Sequence, residues 1–498
     1  MQLTAGSIQL QYENGFLRTL TANSEESLRM IYFALRDRDW NTARMRITNE
    51  SVQTDTDAFL IRYDWQIDDL GIQISGNVHI QGNSQGEISF GFYGKAINTF
   101  YRNRLGFCIL HPVDGLAGQA CRIEHPDGQT TESIFPEFID PYQPFLDIQA
   151  MVWTMASGQQ FRLDFDGDIF ETEDQRNWSD TSYKTYCTPL ERPFPVEVLA
   201  GTEVWQRVTF RPVFIQTLAQ MHPRNVTSQT EVSPRIGLGY PADGRPLLQQ
   251  EVDKLKALNL SHLRADVFMA QDDWQNKLIA AWHDADRLNV SLEIALFFGA
   301  HTPTEAHQIT DFIRQQALRV HSLLLFQADI WRTTDELLNQ VTPIFRQQLP
   351  DVQLGGGTDA YFVELNRHRF DFKQIDFVTY SINPQVHAFD DQTLLENIAA
   401  QGDTVRSART LSGGKPVHIS TVTLLPRFNP DATSGSGRGV LPADPRQMTS
   451  FGAEWTRQSL ETLTKAGAAS ITYFETHGPR GLLDEDAIFP VLNTFRNC

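Results

Sequence analysis

The 498-residue chain is 41% hydrophobic and 21% charged, enough apolar material for well-packed cores, and its length predicts two or three domains rather than one. With 42 basic against 61 acidic side chains its formal charge is −19, which argues against nucleic acid or an anionic membrane surface as a partner. No signal-peptide pattern opens the chain, no apolar run reaches the ~20 residues of a membrane span, and four sparse cysteines (Cys108, Cys121, Cys187, Cys498) suit a reducing compartment, so a soluble cytoplasmic protein is expected.

Over residues 1–225 the apolar period is two. GIQISGNVHI puts Ile72, Ile74, Val78 and Ile80 on one side and Gln73, Ser75, Asn77 and His79 on the other. EISFGFYG repeats the pattern with Ile88, Phe90 and Phe92, and QFRLDF with Phe161, Leu163 and Phe165. Turn signals such as NSQG (Asn83 to Gly86) and PDG (Pro126 to Gly128) separate these runs. One segment, SEESLRMIYFAL, is expected to open a short helix at Ser24 to Glu26, and the last strand ends near Val213. A β-sandwich of many strands follows from this pattern.

Late in that region, FETEDQRNWSDTSYKTY packs Glu171, Glu173, Asp174, Arg176, Asp180 and Lys184 around Asn177 and Trp178. So many charges fit neither a core strand nor a Gly/Pro-rich loop. A polar seam between domains is the expected role, with Asn177 and Lys184 as candidate pocket ligands.

From residue 226 to 498 the period lengthens. SPRIGLGY reads as a strand, and GRPLLQQEVDKLKALNL then places Leu248, Val252, Leu255 and Leu258 on one helical face. SHLRADV, VSLEIALFF, VHSLLLFQAD, VQLGGGTD, IDFVTYSINP, PVHISTVTL and ASITYFETHG supply seven further strands with helix-length sequence between them. Thr333 and Glu336 suggest a capping box, and Gly402 a helix stop. Eight β/α units predict a (β/α)8 TIM barrel; no glycine-rich phosphate loop follows the first strand, which disfavours a doubly wound sheet.

Barrel chemistry gathers at the C-terminal ends of the strands. Those ends offer Arg264 and Asp266, Glu293, Gln327 and Asp329, then Asp359, Glu364, Asn366 and Arg367. Further on come Tyr380, Asn383, Gln385 and His387, then His418 and Thr421, and last Glu475 and His477. The long loop after strand seven adds Arg427, Asn429 and Arg438. This is an inventory for a small polyhydroxylated ligand. Glu364 and Glu475 are expected to face each other across the barrel mouth as paired carboxylates, the alternative being ion pairs of Glu364 with Arg367 and Glu475 with Arg480. The Cys/His pairs in CILH and CRIEH fall on alternating strands around a turn, and DFDGDIFETED lacks a calcium-loop signature, so neither metal nor cofactor is expected.

Seven blocks, RLGFCILHP, FPEFIDPYQPFLDI, ETEDQRNWSDTSYKTYCTPL, GGTDAYFVELNR, INPQVHAFDD, TVTLLPRFNP and YFETHGPRG, resemble the bacterial D-apionate lactonases. The resemblance implies a β-domain followed by a TIM barrel, a small sugar lactone as the partner, and opening of D-apionolactone to D-apionate during apiose catabolism. Members are expected to continue into a further C-terminal β-domain, whereas this sequence ends at PVLNTFRNC, soon after strand eight. Lactone opening needs an activated water, an oxyanion donor and a proton for the ring oxygen. The expected catalytic set is Glu475 as base with Glu364 or His387 as proton donor. Arg264, Asn383 and His477 are the expected oxyanion or hydroxyl ligands, with Asp266, Glu293, Asn366, Gln385 and Arg427 completing the pocket. No G-x-S-x-G elbow is present, which disfavours a serine-esterase route. A glycoside hydrolase with paired carboxylates and a non-catalytic carbohydrate-binding protein are the alternatives.

Overall fold

The computed structural model describes residues 1–213, 233–241, 244–428, 430, 443–484 and 487–495. The expected division at 225/226 and the candidates Asn429 and Arg438 lie outside the described residues. Two compact units emerge among the described residues: 1–175 with 182–213, and 176–181 with the described residues from 233 to 495.

In the first unit the described strands form two antiparallel sheets of nine strands each. Strict alternation is why they face each other: Phe59–Asp69 buries every second residue, Phe59, Ile61, Tyr63, Trp65 and Ile67. The inner faces meet in an aromatic core where Phe33 stacks on Phe92 at 4.5 Å and meets Trp65 edge-on at 5.2 Å. The helix expected at Ser24 to Glu26 is instead part of a 13-residue strand, Glu25–Asp37, paired along Phe100–Pro112. Ile31, Phe33 and Leu35 bury at period two there, and cross-strand packing overrides the helix-forming Glu and Leu residues. The dense charges after Phe170 also find a place in this sheet. Strands Phe170–Asp174 and Ser182–Tyr186 pair with Glu173 opposite Lys184 and Glu171 opposite Tyr186, so the polar side chains satisfy one another across the ladder.

In the second unit eight parallel strands close into a barrel: Arg235–Gly239, His262–Phe268, Ser291–Phe298, Val320–Gln327, Gln353–Tyr361, Phe377–Ile382, Val417–Val422 and Ser470–Glu475. The first pairs with the last from Arg235 and Ser470 onward. Their near-continuous burial reflects a sheet covered on both faces. Two local expectations change. Thr334, not Thr333, caps helix Asp335–Gln348, its hydroxyl accepting from the Leu337 N–H, while the Thr333 hydroxyl donates to the Leu325 carbonyl. Gly402 does not stop a helix but lies buried inside Ile398–Leu411, facing Thr462 and Ala466 of helix Ser450–Ala466. Leu248 is exposed at the start of helix Gln249–Lys256, leaving Val252 and Leu255 to bury its inner face. Among the described residues no helix is long and apolar enough to cross a membrane.

Candidate active site

The barrel strands bury a polar group beside the apolar cluster of Ala295, Phe297, Leu324, Phe326 and Phe377, the last stacked on His418 at 3.7 Å. Glu293, 1% exposed, accepts from the Ser420 hydroxyl at 2.6 Å and the Ser322 hydroxyl at 3.2 Å, with His418 Nδ1 at 3.7 Å. Thr472 joins this group, 3.4 Å from Glu293 and 2.8 Å from His262 Nε2. Burial alone would raise the Glu293 carboxyl, but His418, His262 and the Ser420 hydroxyl outweigh it and hold the group ionised well below the usual carboxylate range. Burial lowers His262 to about 4, so its imidazole is neutral. Gly237 makes room for that ring, since a Cβ there would sit 2.1 Å from Nε2.

Toward the C-terminal ends of the strands lies a quartet of alternating charge. Arg264, 1% exposed, donates from Nε to Asp266 at 2.8 Å, from Nη2 to Asp359 at 2.5 Å, and from Nη1 to the Ser420 carbonyl at 2.5 Å. Arg427, from the loop after strand seven, donates to the other oxygen of Asp266 at 2.9 Å and also to Asp359 Oδ1. Two guanidiniums and two carboxylates sum to zero. Burial opposes the Arg264 charge, but Asp266 and Asp359 outweigh it and raise its pKa further; Arg264 and Arg427 in turn depress the partly exposed Asp266. Within it the Arg264–Asp359 pair is buried on both sides and costly to break, at roughly 3–5 kcal/mol for removal of one partner.

Beside the quartet a small solvent-open cavity lies among the ends of strands five, six and seven. Asp359, Tyr361, Ser381, Asn383, Thr421, Thr423, Arg427 and Phe428 are among its walls. Thr421 is 4% exposed, and its Oγ1 has no hydrogen-bond partner among the described residues, a donor and acceptor left for whatever enters. Phe428 stacks on Trp331 at 4.4 Å and presents one apolar wall among polar ones. Such a pocket matches hydroxyls with hydrogen bonds and a C–H face with a ring.

A family model described as "D-apionate lactonase, N-terminal domain" matches residues 1–213, and one described as "D-apionate lactonase, TIM barrel domain" matches residues 236–498. The chain belongs to the D-apionate lactonase family. A D-apionate lactonase of Brucella anthropi is 30% identical over 509 residues, spanning 96% of this chain and 83% of that protein. Among solved structures, a β-arabinopyranosidase aligns over 94% of this chain and 85% of its own at 7% identity and a TM-score of 0.31. A GH30 endoxylanase from Clostridium papyrosolvens C71 aligns over 54% of this chain and 72% of its own at 10% identity and 0.36.

In this lactonase-family barrel the residues expected from sequence fall into separate groups. Arg264, Asp266 and Arg427 come together in the quartet, and Asn383 joins Arg427 on the cavity wall. Glu293 is sealed below them. His387 Nδ1 lies 2.5 Å from Asp180, with Trp178 edge-on at 5.4 Å, and Asn366 donates to Asn177 at 3.0 Å. Gln385 is tied up by the Leu424 carbonyl, Asp444 and Arg446. Glu475 faces Arg480 at 3.0 Å, the ion pair weighed above; Glu364 lies on the short helix Phe362–Arg367 and faces His368 at 3.5 Å, while Arg367 covers the Trp178 ring. His477 is fully buried with Nδ1 2.9 Å from the Thr476 hydroxyl, and Lys184 pairs with Glu173 at 3.1 Å in the sandwich unit. Ser381, Ser420 and Phe428 were not anticipated. Hydroxyls inside the apolar runs FVTYSI and VHISTV were the available signal for the two serines.

The buried neutral imidazole has a consequence for stability. The His262 value of about 4 is below the ~6.5 of an unfolded histidine, so between these limits the unfolded chain binds more protons. Stability is therefore complete above about pH 6.5 and falls as the pH drops toward 4, with His321, also lowered to about 4, acting in the same direction. Thermal melts across that window should show this loss in the wild type and a shallower one in His262→Gln. Equal slopes in the two proteins would assign the acid sensitivity elsewhere.

Proposed function

We propose that the chain hydrolyses D-apionolactone to D-apionate in apiose catabolism, with the lactone ring in the cavity beside the charge quartet. The observation that carries this reading is the match to D-apionate lactonase models across both domains. The wall chemistry supports it: a small cavity with carboxylate, amide, hydroxyl and guanidinium groups and one aromatic face.

On this reading water adds to the lactone carbonyl carbon and the carbonyl electron pair moves onto oxygen. Arg427, which keeps N–H donors beyond those spent on Asp266 and Asp359, and the Thr421 hydroxyl, without a partner among the described residues, stabilise that oxyanion. Asp359 and Asn383 hold ring hydroxyls. His387, on the loop that leaves the cavity wall at Asn383 but not itself among the walls, is assigned the proton from water; the ring C–O bond then breaks and its oxygen receives that proton. The product acid ionises, releasing one proton to solvent per turnover. Glu475 and Glu364, the carboxylates expected from sequence, are read as braces of their loops because each faces a cation or imidazole of its own turn.

Acid release from D-apionolactone, followed with a pH indicator, tests the activity. Release is expected, and Arg427→Gln should reduce kcat by about 10²–10³-fold in a chain that still folds. Nitrophenol release from aryl glycosides without acid release from the lactone would replace the reading with a glycosidase. The brace is checked separately. Glu475→Gln should lower the melting temperature while the folded fraction turns over at near wild-type rate; unchanged stability with a 10²–10⁴-fold loss would restore Glu475 as the base, at about the magnitude general-base catalysis supplies.

A further inference from the structure

We propose that Asp180 is the positioning residue that orients the His387 imidazole and sets which of its nitrogens accepts a proton, an inference that rests on the lactonase reading above. Asp180 lies in the six-residue turn 176–181, which is compact with the barrel although its neighbours in sequence are sandwich strands. Its Oδ2 is 2.5 Å from His387 Nδ1, and its Oδ1 accepts from Asn397 Nδ2 at 2.7 Å. Both carboxylate oxygens are thus engaged, on a residue 4% exposed.

The turn holding Asp180 is itself clamped. The Thr181 N–H donates to Asn397 Oδ1 at 3.0 Å, its hydroxyl donates to the Glu396 carbonyl at 2.9 Å, and the Ala400 N–H donates to that hydroxyl at 3.1 Å. Arg176 is 3.5 Å from Asp403. The imidazole is steered from a second side by Trp178, edge-on at 5.4 Å, whose own face is covered by Arg367 at 5.3 Å. Of the charged groups near His387, Asp180 is in contact and Arg367 lies beyond Trp178.

With Nδ1–H donating to Asp180, the imidazole carries its lone pair on Nε2, the nitrogen turned away from the carboxylate. The same carboxylate stabilises the imidazolium formed when Nε2 takes the proton from water, and the proton returns from Nε2 to the ring oxygen as the lactone C–O bond breaks. An asparagine at 180 fills the same space but offers an amide N–H to Nδ1, which favours the Nε2–H tautomer, unable to accept that proton.

Two measurements test this on the full-length protein. In 15N-histidine-labelled wild type, with the signal assigned by its loss in His387→Asn, the His387 resonance is expected as the Nδ1–H tautomer with a downfield proton; the Nε2–H tautomer would overturn the proposal. In Asp180→Asn the tautomer should invert, and kcat for D-apionolactone should fall on the order of 10²-fold with KM little changed. A folded Asp180→Asn with near wild-type kcat would overturn it even if the tautomer shifts. If the wild type releases no acid from D-apionolactone, the lactonase reading fails, and the tautomer alone decides whether Asp180 directs His387.

Discussion

Four charges that cancel govern the C-terminal end of this barrel. Arg264 is 1% exposed, and a guanidinium at that depth persists only with carboxylates against it. Asp266 is two residues along its own strand, Asp359 comes from strand five, and Arg427 from the loop after strand seven. Satisfying one buried cation therefore fixes the relative placement of two strands and one long-range loop. The cavity exists because that loop, bearing Arg427 and Phe428, is anchored beside Asp359, Ser381 and Thr421.

Below the quartet the same logic continues. The Ser420 hydroxyl donates to Glu293 and lies 3.1 Å from Arg264 Nη1, linking the sealed carboxylate to the arginine above it. Polar groups so connected have few alternative arrangements, because each rotation would leave a buried donor or acceptor unmet. A scaffold of this kind holds hydrogen-bond donors in place before a substrate arrives, and preorganised donors are what the charge-developing step of lactone opening requires. The His387–Asp180–Asn397 chain is a second, separately clamped polar group, built from the turn 176–181 and the segments after strand six.

Much of the fold was legible in sequence because its signals are periodic. Alternation such as Ile72, Ile74, Val78 and Ile80 specifies which face a strand buries, and the eight apolar runs from Arg235 to Glu475 each became a barrel strand. The failure at Ser24 to Glu26 came from reading local propensity where pairing with Phe100–Pro112 decides the outcome. Site residues were legible as a class but not as a geometry. Arg264, Asp266 and Asn383 were expected from strand-end position and Arg427 from the long loop after strand seven, and the structure gathers them about the quartet and cavity, while Glu475 and Glu364 face Arg480 and His368. Direction is lost at strand ends: Phe474 has φ +42, a left-handed conformation that breaks the alternation just before Glu475. Asp180 was equally hidden, since nothing in its own segment says that the turn folds with residues more than two hundred positions away.

On the proposed function, the lactone is opened in the cavity beside the quartet. A crystal structure of the protein with D-apionate bound tests it most directly. The product carboxylate is expected within hydrogen-bond distance of the Arg427 guanidinium and the Thr421 hydroxyl, with the hydroxyls of the product against Asp359 and Asn383. Product bound away from these four residues, with the cavity left empty, would contradict it.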